Sequence, residues 1–314
     1  MEDIKVAYVF PGQESYTFGM GLDLYVHYAS ARNVYEEVDK TLGFPLSRLC
    51  FEGPEAELLQ TMNIQPAILT TSIACLKAAR EATEDNLPAP TFVAGHGLGE
   101  FTALVASEVL SLSDAITLVR ERGRLMHEAG FRKPGGMISM QGMDQETIEN
   151  ICLSVGATIS AINAPGQIVI SGSNENLTKA KRLAQIKGVR RMSPLKVSGA
   201  FYSNLMEPAI AGMMNTVSSY TFSHPIAPII ANVTAQPINS AETIQEELVS
   251  QVVHCIKWQQ SIETMISKGV TTFFEIGPGE VLANYIKKIS PGARVISINN
   301  ITSLSEMSSW RKGR

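Results

Sequence analysis

A chain of 314 residues, 45% hydrophobic and 18% charged, can bury the core of one large domain, or of a large domain and a small one. Its net charge of -4 leaves no basic stripe for phosphate groups, which excludes nucleic acid as a partner. Its apolar runs stay well below the ~18 residues that a membrane-spanning helix needs, so no membrane partner is expected.

Cysteine usage and the first residues predict a cytoplasmic protein. Residues 1–3 are acidic and the apolar run Val6–Phe10 is short, which does not fit a secretory signal. No pattern requires a metal or an organic cofactor. The cysteines are far apart and lack C-x-x-C spacing, which favours reduced thiols over a zinc site or a disulfide framework; they are Cys50, Cys75, Cys152 and Cys255.

The first predicted element is a strand at Lys5–Phe10, which ends at the turn signal of residues 11–13. A second apolar strand is expected at Phe92–Ala94. The last helix of this half has Ser113 as its expected N-cap, and the helix that starts at residue 65 is expected to be amphipathic. Helical spacing places the helices at 29–42, 55–59, 65–82, 99–107 and 113–129.

The stretch Val93–Phe101 is the most informative part of this half. A strand runs into glycines at every second position and then into a helix. This layout is that of the nucleophile elbow, G-x-S-x-G, whose central serine stands exposed at the top of a parallel sheet. Gly97 takes the central position here, so the turn has the architecture of an acyl-transfer site without the hydroxyl. The pattern predicts an α/β fold with a parallel-sheet core that resembles the α/β hydrolases.

Residues 133–196 have a different texture and predict a small subdomain inserted into a large one. Their order, β-α-β-β-α-β, is typical of a ferredoxin-like fold. The large subdomain would then comprise residues 1–132 and 197–302, followed by a polar tail at 303–314 that is expected to fray. The strands of the insert are expected at 137–141, 159–163, 167–171 and 189–195, and its helices at 145–155 and 174–187. Beyond it we expect strands at 229–232 and 272–276 and a helix at 242–253.

Seven short motifs, in collinear order over residues 4–290, carry a resemblance to a known family. They are Phe10-Pro11-Gly12-Gln13, Gly95-His96-Gly97-Leu98-Gly99-Glu100, Arg122-Gly123, Asn163-Ala164-Pro165-Gly166-Gln167, Gly199-Ala200-Phe201, Asn232-Val233-Thr234 and Glu275-Ile276-Gly277-Pro278-Gly279. In these motifs the chain resembles the malonyl-CoA:acyl-carrier-protein transacylases and the acyltransferase domains of polyketide synthases. Any one motif would be weak evidence, whereas the ordered set makes a strong fold assignment.

The resemblance implies acyl transfer through a covalent intermediate. In the family, the elbow serine takes malonyl from coenzyme A as an ester and passes it to the phosphopantetheine thiol of a carrier protein, with a histidine as base. An arginine grips the malonyl carboxylate by two contacts, and two backbone N–H groups form the oxyanion hole. Carried over by position, the arginine is Arg122, the oxyanion donors are Gln13 and Leu98, the glutamine that orients the histidine is Gln251, and further substrate-binding positions are Phe201, Met126 and Asn163.

Three positions depart from the family pattern. The serine position is Gly97 and the histidine position is Tyr202, so both members of the catalytic dyad are missing. In the first turn, Glu14 puts a carboxylate beside the oxyanion hole, where it would oppose the negative charge of the reaction. Three changes at separate points of one site favour a natural protein that no longer carries out the reaction over a single engineered change.

The changed residues also have structural interpretations. Glycine at position 97 relieves a strained turn that costs other residues about 1–3 kcal/mol; alternatively, it opens room for a water or a bulkier acyl group. Tyr202 has a phenol with an ordinary pKa of about 10, a poor base, and is expected to fill the space left by serine and imidazole and to bond to Gln251. His96 is expected to support the site, because the family carries that histidine beside an intact serine.

Arg122 has two interpretations that the sequence leaves open. A buried guanidinium without a partner is costly, so a carboxylate of a ligand or a partner protein is expected to meet it. Alternatively, it pairs internally with Glu100 or another acid. Phe201 accompanies malonyl rather than methylmalonyl specificity in the family, because the ring crowds the space that an α-methyl group needs.

Three functional hypotheses follow. The first is a catalytically silent homologue that binds malonyl-CoA or a related acyl-CoA, an acyl carrier protein, or a ketosynthase or other polyketide-synthase component. Loss of serine or histidine in a comparable enzyme lowers the rate by roughly a millionfold. The second is a thioester hydrolase or decarboxylase that uses bound water, Tyr202 and His96. The third is an active malonyl transferase whose nucleophile comes from elsewhere.

Overall fold

A computed structural model describes residues 5–310 of the chain. Its strands are β1 (Lys5–Phe10), β2 (Phe92–Gly95), β3 (Gly136–Gln141), β4 (Thr158–Ala164), β5 (Gln167–Gly172), β6 (Arg191–Pro194), β7 (Ile229–Ile230), β8 (Pro237–Ile238), β9 (Val270–Ile276) and β10 (Arg294–Ile298). Its α-helices are α1 (Leu22–His27), α2 (Ala29–Leu42), α3 (Leu46–Glu52), α4 (Glu55–Leu58), α5 (Thr61–Ala82), α6 (Gly99–Ala106), α7 (Leu112–Arg132), α8 (Gln145–Val155), α9 (Asn174–Ile186), α10 (Ile210–Ser218), α11 (Ala241–Ser250), α12 (Trp258–Ser267), α13 (Val281–Ile289) and α14 (Ile301–Trp310). Short 3-10 helices lie at Gln13–Ser15 and Asn204–Ala209.

The larger sheet has six strands in the order β10-β9-β1-β2-β7-β8. Neighbours from β10 to β7 run parallel, and the edge strand β8 runs antiparallel to β7. The central strand β1 is buried from Val6 to Phe10, as expected for a parallel sheet whose two faces are covered by helices. The predicted α/β class with a parallel sheet is confirmed.

Helix α5 lies in the core beside the large sheet, and its start and its burial differ from the prediction. It begins at Thr61 rather than at residue 65, and it is buried on most sides rather than amphipathic. It packs against α2, α6, α7 and β9, so few of its faces meet solvent. Small residues such as Ala67, Ala74 and Ala78 allow these close approaches, while Gln65 becomes a polar side chain in the interior.

The smaller sheet has four strands in the order β4-β5-β3-β6, and each neighbouring pair runs antiparallel. Helices α8 and α9 pack on it around an apolar cluster of its own, which includes Ile170 and Ala180. Its edge strand β4 is joined to the chain just before α12 by two backbone hydrogen bonds, from Ile162 N–H to the Ile256 carbonyl and from Ile256 N–H to the Ser160 carbonyl, each 2.9 Å long.

Helix α7 shows where a cap prediction was wrong. Its N-cap is Ser111, not Ser113, and the Ser111 hydroxyl accepts a 3.0 Å hydrogen bond from the Asp114 N–H. Ser111 has extended backbone angles, as an N-cap requires, whereas Ser113 already lies inside the helix. The helix also continues three residues past Ala129, to Arg132. Other predicted elements are shorter than expected: the strands at 229–232 and 189–195 shrink to β7 and β6, and the helix at 242–253 ends at Ser250.

The expectation of a frayed tail is wrong for residues 303–310, which belong to α14. Leu304 and Met307 are buried against the main core. The Asn300 side chain accepts a 2.9 Å hydrogen bond from the Ser303 N–H at the start of the helix. Leu304 and Met307, three positions apart, therefore give this helix an apolar contact with the core. Residues 311–314 lie outside the described part of the chain. Within residues 5–310, no helix is both long and apolar enough to cross a membrane.

Candidate active site

The turn between β2 and α6 follows the predicted strand–turn–helix order. Gly97 sits at its centre with φ of +54°, in the left-handed region that favours glycine. Gly95 and Gly99 flank it in close contact with backbone, since a Cβ on Gly99 would overlap the carbonyl of Phe10 and one on Gly95 would overlap Gly99. The spacing of the glycines is thus explained by steric demands at each of the three positions.

Asn232 fixes the turn to the rest of the site. Its Oδ1 accepts a 2.7 Å hydrogen bond from the Gly97 N–H, and its Nδ2 donates a 2.7 Å bond to the Gly95 carbonyl. Its own N–H donates to Oε1 of Glu100 at 3.2 Å. Asn232 belongs to the family motif Asn232-Val233-Thr234, but the sequence predicted no role for it. The structure shows that its amide spans both sides of the turn.

Gln251 and Glu100 form a buried layer under the turn. Gln251 Nε2 donates to the Gly97 carbonyl at 3.0 Å and to Oε2 of Glu100. Both side chains are almost fully buried. Burial, followed by the nearby charge of Glu247, raises the pKa of Glu100 well above its usual range. The positive charge of Arg122 acts in the opposite direction.

Arg122 lies next in this buried layer and is only 1% exposed. Its Nη1 donates to Gln65 Oε1 at 2.6 Å, and its Nη2 donates to Gln251 Oε1 at 2.8 Å. The guanidinium also stands 5.2 Å from the centre of the Phe101 ring. A direct hydrogen-bonded pair with Glu100 is therefore not formed, because the Gln251 amide stands between the two. Gln65 gave no signal in the sequence, since it lies alone on α5 without a motif.

Tyr202 occupies the space beside Gly97. A Cβ placed on Gly97 would overlap the phenol oxygen of Tyr202. The interpretation that Gly97 opens room for a water or a bulkier acyl group is therefore wrong in this structure. The phenol faces Arg122, which lowers its pKa by charge and hydrogen bonding, but the larger effect of burial leaves the pKa above the usual value. The expected partner, Gln251, instead bonds to Gly97, Glu100 and Arg122.

His96 has acceptors at both ring nitrogens. Nε2 lies 2.8 Å from Asn163 Oδ1, and Nδ1 lies 3.1 Å from a carboxylate oxygen of Glu14. The ring packs edge-on against Trp258 at 5.5 Å, and the Asn163 amide continues to the Tyr285 hydroxyl at 3.3 Å. Because both nitrogens have a polar neighbour, the imidazole is held in place. Glu14 was expected beside the first turn, but its pairing with His96 was not foreseen.

A cavity of about 320 Å³ opens above this arrangement. The sequence-predicted residues that border it are Gln13, His96, Asn163, Phe201 and Tyr202, and Glu14 joins them. Within residues 5–310, the other five predicted residues do not border this cavity, and Gly97 is separated from it by the Tyr202 phenol. Leu98 is buried in the turn, Met126 lies 3.7 Å from the amide nitrogen of Gln65, and Arg122 and Gln251 form the buried layer beyond Tyr202.

Comparison with known proteins agrees with this geometry. The sequence model of the acyl transferase domain family matches residues 7–307. The malonyl CoA-acyl carrier protein transacylase of Bacillus subtilis (strain 168) is 40% identical over 301 residues, which cover 94% of each chain. The crystal structure of an acyl-carrier-protein S-malonyltransferase from Bartonella henselae superposes with a TM-score of 0.92 at 37% identity, covering 98% of this chain and 99% of that one.

A further solved structure is a complex of a malonyl-transacylase with the acyl-carrier protein of a type II polyketide synthase. It superposes with a TM-score of 0.93 at 35% identity, covering 97% of this chain and 99% of that one. These matches define an acyl transferase fold over nearly the whole sequence. The chain belongs to the malonyl CoA-acyl carrier protein transacylase family.

Proposed function

We propose that this protein is a member of its family that has lost the standard acyl-transfer chemistry and acts by binding. Its ligand would be the thioester end of malonyl-CoA, of a related acyl-CoA or of an acyl carrier protein. A ketosynthase or another polyketide-synthase component is a further proposed partner. The pathway would be fatty-acid or polyketide synthesis, and the predicted cytoplasmic location is part of the same proposal.

The observation that carries this proposal is the contact between Gly97 and Tyr202. The centre of the turn has no side chain, and the phenol oxygen lies where the first carbon of a nucleophile would stand. Burial raises the pKa of this phenol, so still less of it is ionised at neutral pH and able to take up a proton. His96 is the histidine among the described residues that border the cavity, and both of its ring nitrogens face acceptors.

The roles of the remaining site residues belong to the same proposal. The backbone N–H groups of Gln13 and Leu98 would form the oxyanion hole, but Glu14 adds a carboxylate beside it. Phe201 would shape the acyl-binding space, with Asn163 at its edge and Met126 behind it. Arg122 and Gln251 would keep the positions of the carboxylate-binding and orienting residues, now turned to internal hydrogen bonds.

The finer description of the fold is also proposed. The strand order β4-β5-β3-β6 with two helices on the sheet supports a ferredoxin-like subdomain at residues 133–196. The strand–turn–helix layout at Gly97 supports an α/β-hydrolase-like core for the large subdomain, residues 1–132 and 197–302. Limited proteolysis with mass mapping of the fragments tests these boundaries.

Incubation with radiolabelled malonyl-CoA, with and without a holo carrier protein, tests the loss of chemistry. Covalent label, free CoA and carrier loading are followed together, with the Bacillus subtilis relative as the active control. We expect no label and no turnover, together with carrier-protein binding in a pull-down. Stable label on the chain, or CoA release without label, would instead assign it an active mechanism.

A double variant shows whether only the dyad has changed. Gly97→Ser with Tyr202→His supplies a hydroxyl and an imidazole and removes the phenol that would overlap the new side chain. We expect this variant to regain malonyl transfer, whereas Gly97→Ser alone stays inactive because Tyr202 still fills the space. A double variant that folds but binds neither malonyl-CoA nor carrier protein would refute the retained pocket.

A further inference from the structure

Two of the five N–H donors of Arg122 are already in use inside the protein. Both Nη atoms of Arg122 bond to amide oxygens, of Gln65 at 2.6 Å and of Gln251 at 2.8 Å. Nε has no hydrogen-bond partner within the described residues, and each Nη keeps a second N–H group, one of which faces the Tyr202 phenol. Whether a carboxylate can reach the guanidinium therefore depends on what lies between Arg122 and the cavity.

Tyr202 also separates Arg122 from the cavity. The phenol borders the cavity on one side, and it lies close enough to Arg122 to share a hydrogen bond with it on the other. A neutral hydroxyl thus takes the place at the guanidinium where a ligand oxygen would bind. A carboxylate entering the cavity would meet the phenol first.

The charged groups that border the cavity disfavour an anion. Two carboxylates, Glu14 and Glu55, face it, and Lys196 is the cationic side chain among its described lining residues, apart from the titratable His96. His96 is already bound to Glu14, so its donor is directed at that carboxylate and not at the cavity. Glu14, Glu55 and Lys196 are all exposed, so solvent screens the three charges alike, and the two carboxylates outnumber the one ammonium group of the described lining.

The rest of the lining suits an apolar group. Leu59, Met137, Val169, Leu195 and Val197 border the cavity together with Phe201. A volume of about 320 Å³ holds a short acyl chain and its thioester, with the remainder of the carrier arm outside.

We propose that this cavity accepts the acyl end of neutral thioesters, such as acetyl, acetoacetyl or butyryl groups, and discriminates against malonyl. The inference rests on the proposed function, because it names the ligand class of the same thioester-binding site. Specificity arises from two repulsive elements, a carboxylate at the mouth and a phenol covering the guanidinium, as well as from apolar contacts.

Calorimetric titration with malonyl-CoA and acetoacetyl-CoA tests this directly. The two ligands differ in the group beyond the methylene, a carboxylate in one and a methyl ketone of similar size in the other, and the coenzyme contributes equally to both. We expect malonyl-CoA to bind at least about tenfold more weakly, since like charges a few ångströms apart repel strongly at a partly buried site. Equal binding, or tighter binding of malonyl-CoA, overturns the inference but leaves the proposed function standing. If neither thioester binds, both fail.

Two variants test the assigned causes. Glu14→Gln removes the carboxylate and keeps the shape, so the ratio of the two affinities should fall several-fold. Tyr202→Ala uncovers Arg122 and should raise malonyl-CoA affinity more than acetoacetyl-CoA affinity. Glu207→Gln is the matched control, because its carboxylate is exposed and pairs with Lys133 outside the cavity. If neither variant changes the ratio relative to this control, the repulsive elements are not Glu14 and Tyr202, and the proposal fails.

Discussion

The floor of the site, which is the buried layer of Glu100, Arg122 and Gln251, differs in construction from its mouth, the part of the cavity edge that carries Glu14 and Lys196. In the floor, Glu100, Arg122 and Gln251 are almost fully buried, and each is joined to another by a hydrogen bond. At the mouth, the charged groups are partly exposed: the Glu14 side chain is 30% exposed and Lys196 faces solvent. The floor holds the turn in shape whether or not a reaction takes place there.

This difference explains which residues keep the family pattern. A buried polar group that loses its partner destabilises the fold, so the floor is held in place by stability alone. The family's serine and histidine positions are Gly97 and Tyr202, and Tyr202 borders the cavity. If the standard chemistry is lost, as proposed, neither position is held by the reaction. The persistence of Arg122 and Gln251 therefore does not by itself indicate that a substrate carboxylate is bound.

The largest expected effect is in the floor. Gln251→Leu leaves the Glu100 carboxyl, one Nη of Arg122 and the Gly97 carbonyl without their partner. We expect a loss of about 3–5 kcal/mol in the free energy of unfolding, measured by urea denaturation. The control Gln260→Leu, at an exposed helical position, should change it by less than about 0.5 kcal/mol. A loss below about 1 kcal/mol for Gln251→Leu would mean that the layer is not cooperative.

Gly97→Ala combines backbone strain with a steric overlap at the boundary between floor and mouth. We expect it to cost about 2–4 kcal/mol, because the new Cβ meets the Tyr202 oxygen at a positive φ. Gly43→Ala measures the strain alone, at about 1 kcal/mol, since φ is +71° there and no atom lies within 4 Å of the added carbon. In a Tyr202→Ala background, the cost at Gly97 should fall to the Gly43 value; an unchanged cost would show that Tyr202 is not the obstacle.

Tyr202→Phe separates the phenol oxygen from the ring. Loss of the interaction with Arg122 should lower the free energy of unfolding by about 1–2 kcal/mol at pH 8. Burial raises the pKa of Tyr202 in the folded protein, so above pH ~10 the unfolded chain ionises first. The advantage of the wild type over Tyr202→Phe should therefore shrink as the pH rises through that range. Urea midpoints of both proteins at pH 8 and at higher pH measure it, and a constant difference would contradict the burial of the phenol.

The smallest effect is expected at the mouth. Glu14→Gln should change the free energy of unfolding by less than about 1 kcal/mol, because a partly exposed pair such as Glu14–His96 contributes little. Thermal unfolding at low and high salt measures this and also tests screening. A loss comparable to that of Gln251→Leu would remove the distinction between the two regions.

Local steric rules made the turn predictable from sequence. Glycines at 95, 97 and 99 form a recognisable local motif, and the positive φ of Gly97 is a property of the turn itself. The atoms that a Cβ would meet at 97 and 99 belong to Tyr202 and Phe10, so part of the cause of the motif lies across the fold. The helix α8, whose predicted bounds are those observed, is a local feature throughout.

Contacts between distant segments were not predictable in the same way. Gln65 meets Arg122 across 57 positions and Glu14 meets His96, yet nothing in the spacing of either pair indicates contact. The helix α14 was missed because its polar composition hides two buried side chains, Leu304 and Met307. In each case the deciding partner lies on another element, so only the packed structure shows the interaction.

The two backbone hydrogen bonds that join Ile256 to strand β4 have a mechanical consequence for ligand entry. Strand β4 cannot move away from the segment before α12 without breaking both of them. Residues 194–197, by contrast, border the cavity and are tied to their own sheet through the Leu195 N–H and the Met137 carbonyl. A ligand that enters on the side of residues 194–197 would leave both Ile256 hydrogen bonds intact.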